Sequence, residues 1–401
     1  MKKLSKTALA FQHLLAMFGA TVLVPFLTGM NPTLALLSAG LGTLTFHLIT
    51  KGKVPVFLGS SFAFIGVISH TLQTHGLGAV KTGTLAAGAM YVLLSLFVRI
   101  FGHQRLKKIF PPIIVGPMIM AIGLRLSPTA ISMAGLHRGV WPWQSAVVSL
   151  SVIAIIIGAA LIGRSFFRLM PILFGMVGGY IIAACLGMTD FSAVREAAWF
   201  GLAPEALQAL KTLPEANFGA AWSFALVALV VFMEHIGDIT TNGAVVGKDF
   251  FADPGIDKTL LGDGAASAVA ALVGGPPNTT YGENTGVLAI TKVYNPEILR
   301  YAAVLAVMLA FLGKFGGFLQ SIPQPVLGGA SVILFGMIAA NGVRLLLTSN
   351  LDFNHSKNLM ILSVILVFGI GISEVQLGSV AVSGLTIAAL TGIGLNIIMP
   401  D

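Results

Sequence analysis

Of the 401 residues, 9% are charged and 56% apolar, against about 25% charged in an ordinary soluble domain. Such a chain cannot cover a soluble surface, so most of it must span a membrane. The net charge of +8 comes in short groups between apolar runs, the arrangement of cytoplasmic loops rather than of a nucleic-acid interface. The single cysteine, Cys185, excludes an internal disulfide framework.

A helix needs roughly 20 residues to cross ~30 Å of hydrocarbon. Read by hydropathy and breakers, the chain contains fourteen candidate runs. The first, 8–29, follows a basic start without a small-residue cleavage site, so it is a retained span rather than a leader. It carries two polar residues, Gln12 and His13, suited either to an interhelical hydrogen bond or to a site. The second run covers 32–50. The third, 54–71, reads "KVPVFLGSSFAFIGVISH": short, opened by proline, and polar at its centre. There Gly59, Ser60, Ser61 and Ala63 flank Phe62, leaving room for a flat ligand against the ring. Runs at 79–100, 109–127, 144–163 and 169–187 complete the first half.

Residues 188–218 form the longest polar stretch, read as a linker with an amphipathic surface helix. The eighth run, 219–246, contains "VVFMEHIGDITTNGAVV". Glu234 and Asp238 stand four residues apart on one helix face. His235 points about 100° away, as a satisfied core histidine would. Asp263 falls near the start of the ninth run, 259–274, where a helix-end role and a functional one are equally plausible. The tenth run, 276–292, reads "GGPPNTTYGENTGVLAITK" and matches the third in place and character. Asn278-Thr-Thr fits a glycosylation sequon but lies in an apolar region beside two prolines, which discounts it. The remaining runs cover 299–313, 323–347, 358–372 and 379–398.

Short, Gly/Pro-interrupted segments at corresponding places in two halves point to a transporter's binding site. Their free backbone groups must face a cavity or ligand rather than lipid, and a half-helix N-terminus there favours carbonyl oxygens or anions. Glu234, Asp238 and Glu283 would each cost about 2.5–3.5 kcal/mol or more at a bilayer centre, so they need a purpose. Pro112 and Gly116 match Pro325 and Gly329, and seven spans per half make the repeat inverted. With a cytoplasmic N-terminus, 17 Lys/Arg fall on the inside and 6 (positions 81, 125, 138, 195, 211 and 314) on the outside, as the positive-inside rule requires. Both termini are then cytoplasmic.

The stretches "QHLLAMFGATVLVP", "GSSFAFIG", "EHIGD" and "YGENTGVLAITK" resemble the nucleobase–ascorbate transporter (nucleobase:cation symporter-2) family, closest to its bacterial uracil permeases. The resemblance covers nearly the whole chain. It is most specific at Glu283-Asn284-x-Gly286-x4-Thr291-Lys292, which fits the family's Gln/Glu-Asn-x-Gly-x4-Thr-Arg/Lys/Gly signature. The resemblance implies an all-α polytopic fold of fourteen spans in two inverted repeats, 1–187 and 219–401. It implies a core domain (spans 1–4 and 8–11), a gate domain (spans 5–7 and 12–14) and strand-like starts to spans 3 and 10. It also implies proton-coupled nucleobase import by a homodimer in the cytoplasmic (inner) membrane, with neither metal nor cofactor.

Phe62, Glu234, Tyr281, Gly282 and Glu283 fall at substrate-contact positions of the family. Glu234, Asp238 and Glu283 are the candidates for proton coupling, and Gln12, His13, Ser61 and Asn284 for support. Uracil permeases carry histidine where this chain has Asp238, which leaves open sodium coupling and a purine cargo. Uracil is flat, with two N–H donors and two C=O acceptors on its edge. Carboxylates, backbone N–H groups and an aromatic face complement it. An intramembrane aspartyl protease is disfavoured, because no Tyr-Asp pair exists. A channel would fail to accumulate its substrate.

Overall fold

The computed structural model describes residues 3–102, 105, 108–136, 142–162, 167–168, 170–349, 351–378 and 380–399. Lys2, Lys107, Arg138 and Arg164, counted among the loop charges, and both chain ends, whose side was inferred, lie outside these residues.

The first half opens with α1 (Lys3–Thr28) and α2 (Pro32–Ile49). Asn31 starts α2, its side chain accepting from the N–H groups of Thr33 and Leu34, with Pro32 pre-set in the first turn. The chain then extends through β1 (Leu58–Ser60), tightens into a 3-10 turn at Phe62–Phe64, and enters α3 (Ile65–Phe101). Gly76, at φ 79°, breaks α3 in two. Next come α4 (Pro112–Arg125), α5 (Ser127–Met133), α6 (Trp143–Leu161) and α7 (Pro171–Cys185).

The linker forms two short helices, α8 (Ser192–Glu196) and α9 (Pro204–Lys211). The single surface helix expected there is interrupted by Gly201 at φ 110° and restarted by Pro204 at the first position of α9. Asp190 accepts from the Ser192 N–H and hydroxyl ahead of α8, and these bonds hold its carboxyl below the usual range.

The second half contains α10 (Phe218–Val246), α11 (Ile256–Val273), β2 (Asn278–Thr280), α12 (Gly282–Thr291), α13 (Pro296–Ala310) and α14 (Gly313–Gln320). It continues with α15 (Gln324–Thr348), α16 (Ser356–Gly371), β3 (Glu374–Leu377), β4 (Val380–Ser383) and α17 (Gly384–Ile398). Among the described residues, seven helices are long and apolar enough to cross a membrane, or eight if α13 and α14, bent by 83°, form one span. The elements follow the fourteen runs within a few residues, with three differences, the first being that α5 carries the fifth run on to Met133, past its expected end at 127. Helix α14 extends the eleventh run past its expected end at 313. Residues 380–383, expected to begin the last helix, instead pair with Glu374–Leu377 as a hairpin whose turn holds Gly378 at φ 64°.

Two sets of helices pack among themselves: α1, α2, α3, α10, α11 and α13, and α4, α6, α7, α15, α16 and α17. Glycines set the closest approaches. A Cβ on Gly88 would lie 2.7 Å from the Gly264 carbonyl, and one on Gly264 would lie 2.8 Å from the Gly88 carbonyl, so α3 and α11 cross backbone to backbone. Three basic residues expected as far-side loop charges instead hold helix-end carbonyls. Lys81 is buried and donates to Leu210, Thr212 and Leu272; Arg125 donates to Gly369, Ile372 and Ser373; Lys314 donates to Val194 and Arg195.

Within the first set, against α1, α2, α10 and α11, β1 and β2 run antiparallel, with Leu58 opposite Thr280 and Ser60 opposite Asn278. Each strand has one neighbour, so its other edge needs partners inside the membrane. Helix hydroxyls supply them: the Leu58 N–H donates to Thr43 Oγ1 at 2.9 Å, and the Asn278 N–H to Ser267 Oγ at 3.1 Å.

Candidate binding site between two broken spans

The strand pair delivers the third and tenth runs to one place. Phe62, two residues past the end of β1, is 5% exposed and meets Phe335 of α15 edge-on, with ring centroids 5.6 Å apart. Tyr281, directly after β2, is buried; its hydroxyl donates to the Ser60 carbonyl at 2.8 Å. Its ring rests on Gly59, where a Cβ would stand 2.5 Å from the ring carbons. Tyr281 therefore braces the strand crossing with its side chain. Gly282 and Glu283 open α12, whose preceding residue Tyr281 makes no side-chain capping bond to the first turn.

Helix α10 brings Glu234 and Asp238 to the same place on one face. Glu234, Asp238 and Glu283 lie within electrostatic reach of one another. Asp238 Oδ2 accepts from Thr280 Oγ1 at 3.1 Å, which ties the α10 face to β2. Glu234 Oε2 is buried without a hydrogen-bond partner. Glu283 accepts from its own backbone N–H.

The supporting residues fall around this cluster. Asn284 Nδ2 donates to the His13 carbonyl at 3.0 Å and lies 3.2 Å from His13 Nδ1, joining α12 to α1. Gln12 Nε2, Ser61 Oγ and Asn284 Oδ1 are buried and unpartnered. Buried polar atoms are nearly always hydrogen-bonded. Glu234 Oε2 and these three atoms are the buried, unpartnered polar atoms among the candidate site residues.

His235 and Asp263 differ in part from expectation. His235 is a satisfied core histidine, with Nδ1 2.8 Å from Asp263 Oδ2 and Nε2 2.9 Å from Thr259 Oγ1. Asp263 is not at a helix end: α11 begins at Ile256, so Asp263 sits two turns in and is fully buried.

Three residues at the site escaped the sequence reading: Thr280, Phe335 and Asn341. A Cβ built on Gly282 would lie 3.6 Å from Asp238 Oδ1 and 3.8 Å from Asn341 Nδ2 of α15. The one available signal for Asn341 was an uncharged amide alone in the apolar run "MIAANGVRLL".

A family model described as the permease family matches residues 5–378. The chain is 43% identical over 405 residues to the uracil permease of Bacillus subtilis (strain 168), covering 99% of this chain and 93% of that one. It is 38% identical over 393 residues to the uracil permease of Escherichia coli (strain K12), covering 97% and 90%. Its fold is similar to that of the transmembrane domain of a cyanobacterium bicarbonate transporter BicA, with a TM-score of 0.66 at 16% identity over 98% of this chain and 96% of that one. It is also similar to SLC26A9, with a TM-score of 0.71 at 13% identity over 98% and 65%.

Proposed function

The chain belongs to the nucleobase–ascorbate transporter family of permeases, multi-pass membrane proteins that are transporters rather than enzymes, and on that premise we propose that it imports uracil by proton-coupled symport with alternating access. The observation that supports this reading is the grouping of Glu234 and Asp238 with Glu283 at the uncapped start of α12, next to the crossing of the third and tenth runs. The carboxylates accept from the N–H groups of the base, and the first-turn N–H groups of α12 donate to its carbonyls. Phe62 covers the ring. Phe62, Glu234, Tyr281, Gly282 and Glu283 form the substrate site in this reading, with Gln12, His13, Ser61 and Asn284 supporting it.

The fourteen runs form two inverted repeats in this reading, 1–187 and 219–401. Spans 1–4 and 8–11 are the core that carries the base, and spans 5–7 and 12–14 are the gate it moves against. The protein is a homodimer in the inner membrane with both termini cytoplasmic. Glu234 and Asp238 titrate as a coupled pair, with Glu234 on the base and Asp238, beside Glu283, on the proton route. Binding of the base favours one protonation state, which links its uptake to the proton gradient.

The test is uptake of a panel of nucleobases into proteoliposomes, with and without imposed pH and sodium gradients. Wild-type protein is expected to concentrate uracil when the outside is acidic. Asp238→Asn keeps hydrogen bonding but cannot ionise, so it should exchange uracil across the membrane without accumulating it. Accumulation by Asp238→Asn equal to wild type, or wild-type uptake that follows sodium and ignores pH, overturns the proton reading. Preference for a purine overturns the cargo.

A further inference from the structure

The carboxylates, the strand crossing and Phe62 all come from α10, α12 and the third run. Helix α15 closes the other side, and its polar residues are few. Ser331 and Thr348 turn their hydroxyls back onto the Leu327 and Arg344 carbonyls of their own helix. Between Ser331 and Arg344 the only polar side chain is Asn341. Its amide is exposed, and its Nδ2 lies within van der Waals reach of the place a Gly282 Cβ would occupy, as Asp238 Oδ1 does. The missing side chain of Gly282 thus leaves a gap bordered by a carboxylate on one side and a carboxamide on the other. A carboxamide set alone in an apolar membrane helix needs a polar partner, and this one faces the acid cluster. The same helix presents Phe335 to Phe62, one and a half turns earlier.

We infer that Asn341 is a specificity-determining contact, reading the edge of the bound base from the α15 side of the cavity. The inference rests on the nucleobase reading above. The chemistry fits a base carrying adjacent N–H and C=O groups. Ionised carboxylates can only accept, so a base carbonyl turned away from α12 needs a donor, and Asn341 Nδ2 supplies one while its Oδ1 accepts from a neighbouring N–H. A paired amide edge of this kind rejects a base whose edge pattern leaves the site's own groups unsatisfied. Because Asn341 stands on α15 while the carboxylates stand on α10 and α12, the base is read completely only when the two sides meet around it.

The experiment compares wild type, Asn341→Ala and Asn341→Ser in proteoliposomes, using as reference whichever base the wild type concentrates. Competition by edge-altered analogues (for uracil, 3-methyluracil and 4-thiouracil) ranks selectivity, and thermal shift in detergent reports folding and base binding separately. The expected result is a KM raised about ten- to a hundredfold, kcat within about twofold of wild type, and a flattened analogue ranking in both variants. An unchanged KM and ranking in folded Asn341→Ala or Asn341→Ser overturns the inference, as does a loss confined to kcat with the ranking intact. A purine as the wild-type cargo would sink the uracil assignment alone, since the Asn341 comparison is then made on that purine.

Discussion

At the scale of single residues, the site is defined by polar atoms that have nothing in the protein to bond. Glu234 is the clearest case, because Oε2 is buried without a partner. Glu234→Gln keeps the shape but replaces an acceptor with an NH2 that faces the N–H of the base. The mismatch costs about 1–3 kcal/mol, or roughly ten- to a hundredfold in uracil affinity; binding by the purified protein at wild-type affinity would remove Glu234 from the site. The carboxylates were legible in the sequence because charge is rare in this chain and costly in lipid. Asp263 was misplaced because the ninth run was taken to begin at 259, three residues late, which made a buried partner of His235 look like a helix-end residue. Phe335 and Asn341 were not legible: a phenylalanine or an amide in an apolar run looks the same whether it faces a ligand or a neighbouring helix, and only packing across the two helix sets tells them apart.

At the scale of elements, the strand crossing depends on what two glycines lack. A Cβ on Gly59 would be 2.5 Å from the buried Tyr281 ring and 2.7 Å from Thr21 Oγ1, whereas one on Gly282 would make ordinary contact at 3.6 Å. Gly59→Ala should therefore overpack the crossing, destabilising the protein by about 1–3 kcal/mol and lowering its melting temperature in detergent. Gly282→Ala should leave the melting temperature near wild type while weakening uptake, because the added methyl enters the gap between Asp238 and Asn341. Equal melting temperatures for the two variants would count against this account of the crossing. The broken third and tenth runs could be read directly, since proline and small polar residues cannot continue a membrane helix unaided. The β3–β4 hairpin was overlooked although Glu374-Val-Gln-Leu alternates polar and apolar ahead of a Gly-Ser pair, because the mostly apolar residues from Val380 onward run straight into the last span.

At the scale of the whole molecule, the proposed topology puts the loop between α15 and α16 on the cytoplasmic side. Asn354 is exposed there, its backbone N–H held by Asp352 Oδ1 at 2.8 Å, so a cysteine at this position keeps the loop's backbone bond. In a Cys185→Ala background, Asn354→Cys should react with an impermeant thiol reagent only from the cytoplasmic side; reaction from outside would invert the arrangement. The two-strand ribbon has a further consequence, for biogenesis. Strand β1 is synthesised tens of seconds before β2, at ~5–20 residues per second, and its unpaired backbone must wait at membrane depth for a partner from the other half. During that interval Thr43, already in place on α2, can hold the Leu58 N–H through a contact spanning 15 residues. The first half thus carries its own stand-in for the missing strand. The proposed site comes into existence only when the second half is inserted, so a chain cut off before β2 would be a membrane protein without it.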